Sequence, residues 1–352
     1  MDEIVRKYLS GLAIGEPQRH RNMSVFPLST SIDGGPDYTT LKDALEKALL
    51  GVTEVSSGGS VPELKVINTA DIAVLLLDGE ELAGAKQNRV LNTTILVKEK
   101  SETVIPVSCT EQGRWSYVSK SFRDSDTVMS PRLRVEKAKT VSTSLSSTGQ
   151  YRSDQGTVWR SINEMAAKAG TVSETGAMKD TFVQKTAELE EYIKAFPYVR
   201  SQKGLLVFIA GEAVGFDFVS REKAFELLHP KLIKSYAMEA VLEDKKDGAK
   251  PDRDRARRST RRRQTARRRN TNRWDGATIS VTRARRSSGR RSPSTTRWFI
   301  SPFSGSARPI RAATWPGPGT ASNSGYDPGG ASPKRHSNTE GLKKGYSRRD
   351  IR

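Results

Sequence analysis

Apolar residues recur at helical spacing near the start of the chain, where Ile4, Val5, Tyr8, Leu9 and Leu12 share a face until Gly15 and Pro17. That period predicts a short amphipathic helix, followed by a strand over "MSVFPLS". "DYTTLKDALEKALL" predicts a second helix with Leu41, Leu45 and Leu49 on one side and Thr39 or Thr40 as its cap. The period then shortens. "VTEV", "LKVINTA", "IAVLLLD", "RVLNTTILV" and "TVIPVSC" read as successive strands, joined by connections rich in Gly, Asn, Asp and Ser.

After "QGRWSYVS" the apolar rhythm fades, and residues 122–156, rich in Ser, Thr, Arg and Lys, read as a polar loop. Helical periodicity returns in "TVWRSINEMAAKAG" and in "TFVQKTAELEEYIKAF", where Phe182, Leu189, Tyr192, Ile193 and Phe196 align ahead of Pro197. "GLLVFIAGEAVGFDFVS" predicts a hairpin, and a last helix starts near Ser220, broken or restarted at Pro230. Neighbouring strands followed by helices predict an α+β fold, a mostly antiparallel sheet with helices packed on it.

Charge divides the chain in two. The net charge of +19 suggests a nucleic-acid or membrane partner. Yet residues 251–352 hold 26 Lys and Arg against 6 acidic residues, leaving 33 basic and 34 acidic residues in the first 250. Arg supplies 23 of the tail's basic residues, whereas the body has 12 Arg and 21 Lys. Ile, Leu and Val number only 6 in that tail, too few to offset the entropy of ordering it. We therefore expect a folded domain over 1–248 and a disordered Arg-rich tail over 249–352.

Out-of-frame reading of a GC-rich gene yields this Arg/Ser/Pro/Thr composition, and a frameshift product is the expected origin of the tail. One permitted out-of-frame reading around "STTRWFISPFSG" restores an acidic turn and an apolar strand. The competing expectation is a genuine arm that binds nucleic acid with steep salt dependence. Cys109 is the only cysteine, which fits a reducing cytoplasm. No signal-peptide core is present, and no apolar run approaches the roughly 20 residues of a membrane helix, so no membrane partner is expected. Oligomeric state is not legible at this stage.

The densest chemistry lies in "LLLDGEELAGAKQNRVLNTTILV", residues 75–97. If its apolar flanks pair, Asp78 to Arg89 form a polar loop carrying Asp78, Glu80, Glu81, Lys86, Gln87, Asn88 and Arg89. A salt-bridged turn explains such a loop as readily as a site does. A second cluster, "IPVSCTEQGRW", delivers Glu111, Gln112, Arg114 and Trp115 at the end of an apolar strand. Arg114 is suited to clamp a phosphate or carboxylate, and Trp115 to stack on a ring; equally, Trp115 is core and Arg114 pairs with Glu111.

Cys109 and Arg114 have the Cys-x-x-x-x-Arg spacing of an anion-cradling loop, although Glu111 between them would repel an anion. No GxGxxG or GxxxxGK[ST] motif occurs, and His20 and His229 stand in unrelated contexts. No cofactor is implied, and a divalent cation held by carboxylates alone stays open.

"DGEELAGAKQNRVLNTTILV" followed by "IPVSCTEQGRW" resembles the ARG and rhodanese-phosphatase-superfamily-associated domain family, in which ARG stands for ADP-ribosylglycohydrolase. The likeness runs from "GEPQRHRNMSVFPL" to "HPKLIKSYAMEAV". It places the family's polar signature on Glu80, Glu81, Lys86, Gln87, Asn88, Arg89, Glu111, Gln112, Arg114 and Trp115, and implies a context of ADP-ribose processing. Two expectations follow. In one, the body binds an ADP-ribose-like or other phosphorylated nucleotide through Lys86, Arg89 and Arg114, with Gln87, Asn88, Gln112 and Trp115 around it. In the other it hydrolyses such a ligand, with Glu80, Glu81 or Glu111 as general base.

Overall fold

The computed structural model describes residues 3–32, 34–56, 58–243 and 250–265, with short strand pieces at 280–281 and 300–301. In chain order the elements begin α1 (Glu3–Ser10), β1 (Ala13–Ile14), β2 (Gln18–His20), β3 (Met23–Ser29), β4 (Tyr38–Thr40) and α2 (Leu41–Glu46). Next come β5 (Leu50–Glu54), β6 (Glu63–Asn68), β7 (Ala73–Leu76), β8 (Glu80–Gly84), β9 (Arg89–Leu91), β10 (Ile95–Val97), β11 (Ser101–Cys109) and β12 (Phe122–Val128). The helices α3 (Pro131–Thr148), α4 (Gln155–Ala169), α5 (Met178–Gln184) and α6 (Thr186–Ala195) follow. A hairpin of β13 (Gly204–Ile209) and β14 (Glu212–Phe218), then α7 (Glu222–Leu242) and α8 (Arg253–Thr265), complete the body.

The expected α+β architecture is present, with its strands distributed over several sheets. A six-stranded antiparallel sheet has the order β12-β8-β9-β11-β6-β5. A three-stranded sheet, β10-β7-β4, pairs β4 parallel to β7. Val52, Val66, Ile105 and Leu91 of the first sheet and Val74, Leu76 and Val97 of the second share one apolar core with Leu41 of α2. Each such side chain removed from water contributes about 1.5–3 kcal/mol, which holds the two sheets together.

A third sheet runs β1-β3-β13-β14, with β2 also on β3. One face, through Val25, Leu205 and Val207, packs with Phe182, Tyr192, Phe225 and Leu232 of the helices. Its other face carries Phe26, Phe208, Phe216 and Phe218.

Four local expectations are corrected. Residues 80–84 form β8 rather than a loop, because Glu81 and Leu82 pair with Val90 and Arg89 across a hairpin. "RVLNTTILV" is two strands in different sheets. Asn92 bonds Tyr151 O, and Thr94 Oγ1 accepts the Asp78 N–H, so these polar side chains supply partners where the backbone changes sheet.

Residues 122–156 hold β12, α3 and the start of α4. Helix α3 escaped an apolar-period reading because its buried stripe is Leu133, Arg134, Lys137, Ala138 and Val141, with two cations among the aliphatics. Pro131 starts it and Gly149 ends it in the left-handed region, as helix-end chemistry favours. Pro230, finally, lies inside the continuous helix α7.

The packed structure also continues past residue 248. In α8, Ala256 is buried in the phenylalanine core, and Arg253 bonds Glu16 and Ile14 O. The rest of the basic tail, with the disorder and frameshift expected of it, lies outside the described residues, short strand pieces apart. Among the described residues no helix is long and apolar enough to cross a membrane.

Candidate functional site

Strand alternation places Arg89, Cys109 and Glu54 on the face that carries Leu91, Val107 and Val52. Arg89 is 0% exposed and Cys109 is its direct cross-strand neighbour. Arg89 Nη1 donates to Gln87 Oε1 at 3.1 Å, and Nη2 lies 3.6 Å from Glu54 Oε1. Its Nε and Nη2, and both Glu54 oxygens, are buried without hydrogen bonds. Opposite charge offsets burial here, through a loose pair.

Burial, with Glu54 adding to it and Arg89 opposing, pushes the Cys109 thiol up to about 11. The Cys109 backbone N–H is taken by Gln155 Oε1, and that of Gly113 by Thr175 O. No anion cradle exists over Cys109–Arg114, and Cys109 is a buried thiol.

Above Arg89 the surface changes character. The Trp115 ring lies 5.5 Å from the Arg89 guanidinium carbon and 5.3 Å from Lys86 Nζ. Tyr117, two residues on, also faces Lys86 Nζ at 5.1 Å, and Gly58 O accepts from that ammonium at 2.7 Å. Trp115 is 47% exposed and Tyr117 is 50% exposed. A cation between two accessible aromatic rings is therefore the outermost feature of the signature. Tyr117 was missed in the sequence, although "RWSY" placed it two residues from Trp115.

Arg114 has no edge left for a ligand. Nε and Nη2 donate to Glu111 at 2.9 and 2.6 Å, while Nη1 donates to Ala85 O and Ser116 O at 2.8 Å each. Thr175 Oγ1 and the Asn88 N–H complete the Glu111 carboxylate. Burial alone would raise Glu111, but Arg114, Asn88 and Thr175 together hold it below the ordinary range. Neither residue fits the phosphate-clamp or general-base role expected of it.

What Arg114 does is brace the β8–β9 turn. Gly84 takes φ +128°, and a Cβ there would meet Ser119 Oγ at 2.6 Å and Ser121 O at 2.9 Å. Ala85 is left-handed at φ 41°, a strained state for a non-glycine residue, held by Arg114, Ser119 and Val118. Asn88 serves the same turn, its Oδ1 accepting the Gly84 N–H, while Gln87 Oε1 accepts from Arg89. Gln112 is exposed and lies beside α4 and Gly176.

The three acidic residues of the 78–81 stretch part company. Asp78 contacts Lys137 of α3, which also donates to Leu91 O at 2.6 Å. Burial pushes Asp78 up and Lys137 down, and their mutual attraction opposes both. Glu80 meets Lys231 of α7 at 2.7 Å, and Lys231 also binds Asp124 at 2.8 Å. Gly79 leaves room for Arg134, whose guanidinium forks onto Asp217 at 2.9 and 3.0 Å, with Tyr236 donating to the same carboxylate. Glu80 is thus a wholly buried ion-pair member, not an accessible base.

Glu81 differs from both in having a hydroxyl rather than a lysine against it; like Asp78, it has one oxygen without a hydrogen bond. Thr110 Oγ1 donates to its Oε1 at 2.6 Å, while Oε2 and the nearby Ser125 Oγ are buried without hydrogen bonds. Burial, against the weaker pull of Thr110, Ser125 and Lys179, raises its carboxyl to about 7. That value suits proton transfer near neutrality. His229, in contrast, is packed against Tyr198 and Phe225 and pushed down to about 4 by burial. Among the described residues no group of three or more His, Cys, Asp or Glu side chains is arranged to hold a metal ion.

Neither curated proteins nor solved structures provide a match to the chain. The family model of the ARG and Rhodanese-Phosphatase-superfamily-associated Protein domain matches residues 11–292. That span contains the whole hairpin signature, the "EQGRW" segment and the helices that pair with them. The chain belongs to the ARG and Rhodanese-Phosphatase-superfamily-associated Protein domain family.

Proposed function

We propose that the body is a cytoplasmic binding module for a phosphorylated nucleotide of the ADP-ribose type, seated at Lys86, Trp115 and Tyr117. The observation that carries this reading is one ammonium shared by two half-exposed aromatic rings. A nucleotide offers an aromatic base and an anion together. Stacking on an aromatic ring and pairing with a cation answer those two features. The ADP-ribosylglycohydrolase association in the family's name makes ADP-ribose the first ligand to test.

Arg89 lies beneath the site and adds positive potential, tempered by Glu54. Arg114 and Asn88 act through the turn that presents Lys86, and Gln87 through Arg89, not by touching the ligand. A second reading, hydrolysis of the same ligand, draws on the Glu81 carboxyl near 7 and requires an opening that exposes Glu81, which is as fully buried as Glu80. It predicts turnover of ADP-ribose that Glu81→Gln abolishes.

Thermal unfolding of the full chain with ADP-ribose, ADP or inorganic phosphate tests the binding reading, since a ligand of the folded state raises its midpoint. ADP-ribose and ADP are expected to raise it in the wild type but not in Lys86→Ala. Equal shifts in both would overturn the reading.

A further inference from the structure

Helix α8, "RDRARRSTRRRQT", carries seven Arg against the single acid Asp254, and it lies within the span that the family model matches. No aliphatic stripe holds it on the body. Ala256 and Thr260, one helical turn apart, are buried, and Ala256 joins the core of Phe26, Phe208, Phe216 and Phe218. The helix start is tied down by backbone: Pro251 O accepts from Arg19 Nη2, and Asp252 Oδ1 accepts the Arg255 N–H.

Three of the arginines face acids. Arg253 meets Glu16 at 2.7 Å, Arg255 meets Glu212 at 3.1 Å and Arg257 meets Asp254 at 3.4 Å. All three carboxylates are exposed, so these pairs contribute little and phosphate oxygens can replace them. Arg257 and Arg258 are themselves exposed.

The composition of α8 narrows the partner. It has no aromatic ring on which an unpaired base could stack. Its one apolar residue, Ala256, is already buried, which leaves nothing to insert into a lipid surface. Dense guanidinium charge without apolar or aromatic neighbours matches a regular array of phosphates.

We propose that α8, docked on the third sheet, binds the phosphate backbone of a nucleic-acid duplex without reading its bases. Binding here does not depend on Lys86.

Fluorescence anisotropy of a short labelled DNA duplex with the full chain, at several salt concentrations, tests it. The logarithm of affinity is expected to fall linearly with the logarithm of salt. Arg257→Ala with Arg258→Ala should reduce that slope by about 2 and weaken binding about tenfold at low salt. Arg348→Ala with Arg349→Ala, the same loss of charge near the end of the chain, and Lys86→Ala should leave both nearly unchanged. Equal effects of the two arginine pairs would show a diffuse polycation and overturn the assignment to α8. A loss in Lys86→Ala would move duplex binding to the aromatic site and overturn it too. Tighter binding to the single strand, or displacement of the duplex by phosphatidylserine vesicles at equal phosphate, would overturn the choice of partner.

Discussion

The two ends of β8 belong to one short signature and behave oppositely. At its start, Asp78 and Glu80 are sealed beneath α3 and α7, each against a lysine that is itself buried. Beyond its far end, Lys86 stands at the surface between two accessible aromatic rings. The difference teaches that charge density along a chain marks two kinds of place. Where distant helices bring counter-ions, charge becomes internal architecture. Where the chain supplies only aromatic rings and one backbone carbonyl, charge stays near the surface.

The comparison breaks most visibly at the sealed end. Lys231→Met strands Glu80 and Asp124 in the interior, and should cost about 3–5 kcal/mol in urea unfolding, the scale of an orphaned buried charge. A loss comparable to that of an exposed pair would show that this end is not sealed.

Glu81 sharpens it through pH. Its folded carboxyl is at about 7 and its ordinary value is 4.5, so between these the folded state holds a proton that the unfolded state has released. Stability from this group is complete below about 4.5 and is lost as pH rises toward 7. Glu81→Gln should therefore be more stabilising at pH 8 than at pH 4 by about 3 kcal/mol. A variant whose effect is the same at both pH values would contradict the buried, protonated state.

Arg114→Ala should cost about 2 kcal/mol, because it leaves Glu111 short of two charge-assisted bonds and releases the strained Ala85 turn. The smallest stability effect is expected for Lys86→Ala, about 0.5–1 kcal/mol from its ring contacts. If Lys86→Ala destabilises as much as Lys231→Met, the two ends are alike and the contrast fails.

Much of this was legible in the sequence. Period-two strands and the hairpin at 204–218 follow from local pattern and turn chemistry. Helix α3 did not, because its inward stripe contains Arg134 and Lys137, whose partners Asp217 and Asp78 are far away in the chain. For the same reason Glu80 and Glu81 looked equivalent as neighbours. Alternation sends them to opposite faces, and only Lys231, 151 residues on, decides which is neutralised. Arg114 looked like a clamp because its type permits one; the pairing with Glu111 that the sequence offered as the alternative is the one formed, and its other acceptors are backbone carbonyls placed by the turn.

Titration calorimetry of ADP-ribose into the full chain, its Lys86→Ala and Trp115→Ala variants, and Lys231→Met at a temperature where that variant stays folded, tests the central contrast most directly. The account predicts saturable binding to the wild type and to Lys231→Met, with affinity lowered about tenfold or more, at least 1.4 kcal/mol, in Lys86→Ala and Trp115→Ala. Binding that is absent from the wild type, or equal in all four proteins, would contradict it.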